Sequence, residues 1–233
     1  MIRYTKQGII ILCVIFLLCS NMNPLSGEER SPVPGKVLEW LDQWDIDYIV
    51  YIKKSAFLLS VFNRDFEIIQ SFPIAYGSNP DMQAKLYSGD GRTPEGFYYI
   101  TQISHENLNH DSEEYKKLVR MNTIYYKWQD GYHKYGQPKK DLGSGVFGSG
   151  FFRLSYPNQN DIQRHHTACI AGKIPKRPDG SCVGPGSGIA IHGNNDPDSI
   201  GHLVSTGCVR MYNNDILVLA KYIDYRTPVI IAY

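Results

Sequence analysis

Residues 188–213 read GIAIHGNNDPDSIGHLVSTGCVRMYN, and this stretch holds the most reactive side chains of the chain. A short apolar run ends at His192, and Cys208 follows sixteen residues later. A thiol is a strong nucleophile only as its thiolate, and a nearby imidazole can take up the thiol proton. The spacing therefore indicates a catalytic pair, although a buried cysteine and a core histidine are the alternative that spacing alone leaves open.

The neighbours of this pair have properties that catalysis needs. Gly193 permits a sharp turn, so that a main-chain carbonyl can orient one ring nitrogen of His192. Gly207 carries no side chain, which leaves main-chain N–H groups open to form an oxyanion hole. Arg210 would point to the same side of an extended strand as Cys208 and can hold a carboxylate.

The pattern His-Gly at residues 192–193, followed by S-x-G-C-V-R-M-x-N at residues 205–213, resembles a known family signature. It is that of the L,D-transpeptidase catalytic domain, a YkuD-type family that acts on bacterial peptidoglycan. Two further blocks resemble segments of the same family, GDGRTPEG at residues 89–96 and RLSYP at residues 153–157. Together the similarity covers roughly residues 47–233, and the combination is far more specific than one short motif.

The resemblance implies a role for each motif residue. His192 is the general base, and Cys208 is the nucleophile. Ser205, Thr206 and Arg210 line the site and bind substrate. Many relatives carry a second histidine at the position of Thr206, so any auxiliary role of that imidazole is absent here.

The resemblance also implies a fold and a reaction. The expected fold is mainly β with peripheral helices, a β-sandwich of mixed sheets. Cys208 would attack a peptidoglycan stem peptide to form a thioester, which the amine of a second stem resolves, so that the cell wall is cross-linked or remodelled. With water as the acceptor the enzyme would be an L,D-carboxypeptidase, and the sequence leaves the acceptor open. Neither reaction calls for a cofactor or a metal.

Length and charge limit the other possibilities. With 233 residues and 42% hydrophobic content, the chain can form one good core and a small appendage. Its formal net charge of +1 lacks the basic surplus that is typical of nucleic-acid-binding proteins, so no nucleic-acid partner is expected.

The start of the chain has the features of an export segment. Arg3 and Lys6 precede an apolar run over residues 9–18, which is short for a bilayer span. Residues 1–20 are therefore predicted to be a signal peptide or an N-terminal anchor, residues 21–46 a linker and short helix, and residues 47–233 the catalytic domain. We expect an exported protein of the periplasm or cell envelope, with membrane contact only through this segment.

Hydrophobic periodicity predicts the local elements of the domain. Strands are predicted over residues 48–53, 56–62, 66–76, 97–104, 151–156 and 227–232. Helices are predicted over residues 37–44, 112–120, 160–170 and 213–222, the last one capped by Asn213 or Asn214. Residues 124–128 are a strand or a groove wall, and residues 129–148 a loop. Residues 89–96 are expected to form a structural turn in which Arg92 has at most a supporting role. The Gly/Pro-rich residues 172–188 are expected to form a lid or a cleft wall.

The remaining cysteines allow more than one interpretation. An exported chain cleaved after the first 20 residues keeps Cys169, Cys182 and Cys208, and the nucleophile must stay reduced. We therefore predict a disulfide between Cys169 and Cys182, with two unpaired thiols as the alternative. A different class of function, a zinc site, would use the following side chains: His165, His166, Cys169, Cys182 and His192.

Overall fold

The computed structural model describes residues 34–233, so the predicted export segment and residues 21–33 of the predicted linker lie outside the described residues. The α-helices are α1 (Pro34–Trp44), α2 (Glu113–Asn122), α3 (Gln159–Ile170) and α4 (Asn213–Leu219). The strands are β1 (Ile49–Lys53), β2 (Leu58–Phe62), β3 (Ile68–Pro73), β4 (Tyr76–Gly77), β5 (Gly96–His105), β6 (His133–Lys134), β7 (Gln137–Asp141), β8 (Gly150–Leu154), β9 (Ala190–His192), β10 (Leu203–Ser205), β11 (Val209–Arg210) and β12 (Pro228–Ala232). Within residues 34–233 no helix is both long and apolar enough to cross a membrane.

Eight strands form one sheet in the order β11-β9-β8-β5-β12-β1-β2-β3. The pairs β1–β12 and β9–β11 are parallel and the other neighbours are antiparallel, so the sheet is mixed. Two small sheets pair β4 with β10 and β6 with β7. The predicted fold class, mainly β with mixed sheets and peripheral helices, is confirmed.

The large sheet curls until its two edges meet. Ala75, just after edge strand β3, exchanges main-chain hydrogen bonds of 2.8 and 2.9 Å with Arg210 in the opposite edge strand β11. Strands twist, so a long sheet rolls up and its two halves face each other across a shared core. Apolar side chains from both halves fill that core, among them Val50, Ile52, Leu59, Phe72, Phe152, Leu154, Ile191 and Val209.

Successive side chains of a strand point to opposite faces, so every second one lies on the outer face of the curled sheet. Helices cover that outer face. Ile49 and Tyr51 of β1 face outward and pack with Val37 and Leu41 of α1. The predicted amphipathic helix before the domain is therefore present, and its apolar stripe is used for docking. On the other half of the sheet, Leu118 of α2 is buried against the outer face.

An aromatic cluster fixes the position of α1. Trp40 Nε1 donates a hydrogen bond of 2.9 Å to the carbonyl of Arg226, which lies just before β12. The Arg226 guanidinium lies 4.6 Å from the ring centroid of Trp44 and 4.5 Å from that of Tyr99. Cation–π contacts of this kind favour arginine, whose flat group stacks on aromatic rings.

Two predicted elements differ from the structure. The single strand predicted over residues 66–76 is two strands, because Phe66 lies in the preceding turn with a φ of 59° and β4 joins a different sheet. Residues 129–148, predicted to be a loop, contain the hairpin of β6 and β7. These two strands consist mainly of polar and charged residues, so they lack the alternation of apolar residues from which strands are recognised. Residues 124–128 form no named strand and contribute one isolated bridge, Tyr126 with Gly143.

A disulfide joins Cys169 of α3 to Cys182, with their Cα atoms 6.1 Å apart. The loop that contains Cys182 is also held by hydrogen bonds of 2.8 Å from the Tyr156 hydroxyl to the Pro185 carbonyl and from His165 Nε2 to the Val183 carbonyl. The zinc hypothesis is wrong, because the two thiols are bonded to each other. In the described part of the chain, no group of three or more His, Cys, Asp or Glu side chains is placed to hold a metal. The disulfide and the two hydrogen bonds therefore hold this loop in place.

Replacing both Cys169 and Cys182 with serine is expected to destabilise the domain by about 3 kcal/mol, because the disulfide closes a loop with a sequence separation of 13. Urea unfolding followed by tryptophan fluorescence measures this loss. Cys208→Ser is the matched control, since it replaces a thiol with a hydroxyl without opening a loop, and it should cost clearly less stability than the double change. Equal effects of the two changes would contradict the prediction.

Candidate active site

The parallel pairing of β9 with β11 brings the two candidate catalytic residues onto one face. Val209 pairs with Ile191, and Arg210 pairs with His192. Ile191 and Val209 point into the core. Because side chains alternate along a strand, His192 and Cys208 point to the opposite, outer face. Cys208 packs there in the apolar cluster that α2 covers.

His192 is held in one orientation. Its Nδ1 lies 2.5 Å from the carbonyl oxygen of Gly193, so Nδ1 carries the proton and donates it to that carbonyl. Nε2 is then the basic nitrogen. The ring of Phe147 meets the imidazole edge-on at 5.2 Å between centroids, and Phe151 stacks at 6.3 Å. The predicted role of a main-chain carbonyl next to the histidine is therefore present in the structure.

The imidazole is neutral at ordinary pH. Burial lowers the pKa of His192 to about 3, and the positive charge of Arg210 acts in the same direction. The hydrogen bond to the Gly193 carbonyl favours the charged form but does not outweigh these effects. A neutral imidazole with a free Nε2 can accept a proton.

Asn213 fixes the loop that carries this carbonyl. Its Oδ1 accepts hydrogen bonds from the main-chain N–H of Ser149 at 3.2 Å and of Asn194 at 3.0 Å. A side chain on Gly193 or Gly148 would collide with the same oxygen atom. The sequence interpretation of Asn213 as a helix cap is wrong, because the N-cap of α4 is Tyr212 and it makes no side-chain cap bond. Asn213 is instead a link between the two loops beside His192.

A tight turn presents Cys208. Ser205 Oγ accepts a hydrogen bond from the Gly207 N–H at 3.0 Å and donates one to the Cys208 carbonyl at 2.5 Å. Thr93 Oγ1 donates to the Gly207 carbonyl at 2.9 Å. A Cβ on Gly207, whose φ is 142°, would come within 2.8 Å of the Arg92 carbonyl. Glycine is therefore required at this position for close packing.

Two predicted roles in this turn need correction. The Gly207 N–H is bonded to Ser205, so it is not the open oxyanion donor that the sequence suggested. The Ser205 hydroxyl is used inside the turn and is not free for substrate. Thr206 is exposed and remains available for substrate.

The Cys208 thiol is half-buried, and its Sγ lies 3.6 Å from the Gly188 carbonyl. Burial raises the pKa of the thiol, although a hydrogen bond from the main chain of Ala190 and the charges of Arg210 and Lys85 oppose this effect. Among the hydrogen bonds of residues 34–233, none joins Cys208 to His192. The resting pair is therefore a neutral thiol and a neutral imidazole.

Arg210 is buried beside the thiol, with 8% of its surface exposed. Its Nε has no hydrogen-bond partner, and within residues 34–233 the guanidinium makes no salt bridge. Burial lowers its pKa, while the nearby Cys208 and Asp196 raise it. A buried cation without a direct counter-ion is costly, so an anion bound beside it would be stabilising.

The sequence model of the L,D-transpeptidase catalytic domain, YkuD, matches residues 47–231. The chain belongs to the L,D-transpeptidase catalytic domain family. The YkuD proteins of Bacillus licheniformis and Bacillus subtilis, both named as candidate L,D-transpeptidases, are 54% and 51% identical to it over 39 and 41 residues. These matches cover 17% and 18% of this chain and 24% and 25% of the relatives, so the similar region is about a quarter of the relatives' length.

Solved structures of longer proteins resemble this L,D-transpeptidase domain. Bd1075 of Bdellovibrio bacteriovorus is 24% identical, with 80% of this chain and 48% of that chain covered and a TM-score of 0.45. Pgp2 of Campylobacter jejuni, described as a helical cell shape determining protein, is 20% identical, with coverages of 83% and 54% and a TM-score of 0.44. An L,D-transpeptidase of Mycobacterium smegmatis is 13% identical, with coverages of 80% and 59% and a TM-score of 0.43. The chain spans about half the length of these three proteins.

Several residues that shape this site are not indicated by any pattern in the sequence. Phe147 covers the imidazole from residues 129–148, which the sequence predicts to be a loop. Thr93 and Lys85 reach the cysteine turn from the segment around GDGRTPEG, for which the sequence predicts only a structural turn. That turn is present, since the buried Asp90 accepts hydrogen bonds from three main-chain N–H groups. Arg92 pairs with Asp81 through its side chain and touches the site only through its carbonyl.

Asn213→Ala should lower the stability of the domain by about 2 kcal/mol, because it leaves the Ser149 and Asn194 N–H groups without their acceptor. Chemical unfolding measures the loss. Asn213→Asp is the control, since its carboxylate keeps an acceptor oxygen and should be the milder change. If alanine and aspartate are equally harmful, the two hydrogen bonds are not the reason.

The reaction of Cys208 with iodoacetamide should become faster as the pH rises to 9 and above, because burial raises the thiol pKa above its ordinary value of 9.0 and only the thiolate reacts. Mass spectrometry of the peptide that contains Cys208 gives the rate at each pH. A rate that stays constant down to pH 5 would instead indicate a preformed thiolate–imidazolium pair.

Proposed function

We propose that the chain is a cysteine L,D-transpeptidase that acts on peptidoglycan stem peptides through a thioester on Cys208. The observation that carries the proposal is the arrangement of a neutral imidazole on the same strand face as the thiol. The Gly193 carbonyl holds Nδ1–H and so leaves Nε2 as the proton acceptor. Membership of the family supports peptidoglycan as the substrate.

In the acylation step, Cys208 Sγ attacks the carbonyl carbon before the terminal D-residue of a donor stem. The thiol proton passes to His192 Nε2 as the S–C bond forms, because the resting thiol and imidazole are both neutral. When the tetrahedral intermediate collapses, the C–N bond breaks and His192 gives its proton to the leaving amine. The products are a thioester on Cys208 and a free D-amino acid.

In the second step an acceptor attacks the thioester carbonyl. His192 takes a proton from the acceptor, the C–S bond breaks, and the thiol is restored with that proton. An amine of a second stem gives a cross-link, which would remodel the cell wall and influence cell shape. Water as the acceptor gives a shortened stem, which is the L,D-carboxypeptidase alternative.

Arg210 is the proposed anchor for a carboxylate of the donor stem. Its guanidinium is buried, has an unpaired Nε and lies on the same face as Cys208. A guanidinium binds a carboxylate with two parallel hydrogen bonds, which positions the ligand as well as neutralising the charge. Stem peptides carry several carboxylates, so this chemistry fits the proposed substrate.

We further propose that the protein is exported to the periplasm or cell envelope, where peptidoglycan is found. The basic and apolar pattern of residues 1–20 supports this location, and the only membrane contact we propose is through that segment. The disulfide between Cys169 and Cys182 also agrees with an oxidising compartment.

Incubation with purified tetrapeptide stems is expected to give a covalent adduct on Cys208, seen by mass spectrometry, together with the free terminal D-residue. Cys208→Ser and His192→Ala should lower turnover by at least about a hundredfold, because the nucleophile or its base is missing. Arg210→Lys keeps the charge but loses the two-pronged geometry, and its main effect should be a higher KM.

The acceptor is identified from the same reaction. Dimeric stems of the expected mass indicate transpeptidation, whereas only shortened monomers indicate hydrolysis. Thr206→Val removes an exposed hydroxyl of the same turn but leaves the nucleophile and the base in place, so the adduct on Cys208 should still form. Absence of an adduct on Cys208 with every stem tested would refute both reactions.

A further inference from the structure

Lys85 is a buried lysine close to the cysteine turn. Its side chain is 4% exposed, and Nζ forms an ion pair of 2.7 Å with Asp90 Oδ1. The carboxylate of Asp90 is held in turn by the main-chain N–H groups of Leu86, Tyr87 and Arg92, at 2.7 to 3.1 Å. The ammonium is therefore fixed in place by a carboxylate that is itself rigid.

The ammonium points toward the residue before the nucleophile. Lys85 Nζ lies 3.7 Å from the position that a Cβ on Gly207 would occupy. Gly207 has no side chain, so no side-chain atom of this residue lies between the Lys85 ammonium and the turn that presents Cys208. The positive charges of Arg210 and Lys85 both favour the thiolate over the neutral thiol, against the effect of burial.

We propose that Lys85 is a positioning residue of the reaction, whose buried positive charge stabilises the thiolate of Cys208 as it forms. The proposal rests on the proposed function in one respect, namely that the thiolate of Cys208 is the form that attacks the stem peptide. A fixed charge in a site of low dielectric constant acts more strongly than one in water and needs no reorganisation during the reaction. Arg210 is then left to bind the substrate.

A second buried lysine provides the comparison. Lys54 is fully buried, and its Nζ forms an ion pair of 2.6 Å with Glu95. It also donates to the carbonyls of Met82 and Gln83. Both lysines have a buried carboxylate partner, but only Lys85 approaches the cysteine turn.

The charged and titratable groups around the thiol come from four segments. His192 lies on the neighbouring strand and is neutral. Arg210 follows the cysteine on β11, and Lys85 comes from the segment before GDGRTPEG. Tyr126, from the segment that also carries the bridge to Gly143, has a pKa raised by burial and in part by Cys208. Changes at Lys85 leave the other three groups in place.

The test measures the pH midpoint for alkylation of Cys208 in the full chain, followed on the peptide that contains this residue. Lys85→Gln removes the charge and keeps a donor for Asp90, and it should raise the midpoint by about one pH unit, or about tenfold in rate below the midpoint. Asp90→Asn removes the carboxylate that offsets the ammonium, and it should lower the midpoint. A general loss of structure would shift the midpoint in the same direction in both variants. Opposite shifts in Lys85→Gln and Asp90→Asn therefore report the charge of Lys85.

Lys54→Gln is the matched control, which removes the other buried ammonium and should leave the midpoint unchanged. Circular dichroism establishes whether each variant is folded. If Lys85→Gln is not folded, a lowered midpoint in Asp90→Asn supports the proposal, and an unchanged or raised midpoint contradicts it. An unchanged midpoint in Lys85→Gln, or an equal rise in Lys54→Gln, would overturn the proposal. The measurement uses no stem peptide, so its result is separate from success or failure of the proposed transpeptidase reaction.

Discussion

The structure depends on the register in which β9 pairs with β11. Val209 lies beside Ile191, so both enter the core, and the residues on either side of them face outward. A shift of β11 by one residue would turn Cys208 and Arg210 toward the core and expose the branched apolar side chain of Val209. The register is fixed from both sides, since β9 also pairs with β8, and Arg210 is bonded to Ala75 at the far edge of the curled sheet. The position of the nucleophile is thus determined by how the sheet closes.

The electrostatics of the site follow from the same geometry. The outer face of β9 and β11 is covered by α2 and by Phe147, so His192 is removed from water and stays neutral. In such a place charge is expensive unless it is compensated. Two cations, Arg210 and Lys85, are nevertheless buried there, and only Lys85 has a direct carboxylate partner. Burial disfavours the thiolate in the resting state, whereas the two buried cations stabilise the negative charge that develops on sulfur. These properties suit a thiol that must ionise only during attack.

Local patterns in the sequence predict most of the strands and helices of the domain. Apolar alternation located β1, β2, β5, β8 and β12, and helical periodicity located α1 and α3. The hairpin of β6 and β7 was missed because its strands are exposed and polar, so their pairing leaves no hydrophobic pattern. The sequence predicts a cap at Asn213 because an asparagine at the start of a helix is usually its cap, and only the folded chain brings Ser149 and Asn194 to its oxygen.

By itself the sequence determined the family, the mainly β fold, the pair of His192 and Cys208, and the candidate disulfide, because each depends on residue type and short spacing. Tertiary structure decided the tautomer and charge of His192, the raised pKa of the thiol, and the use of Ser205 and Gly207 within their own turn. It also brought Lys85 to the cysteine turn from more than a hundred residues away. These properties are set by burial and by contacts between distant segments, which no local pattern encodes.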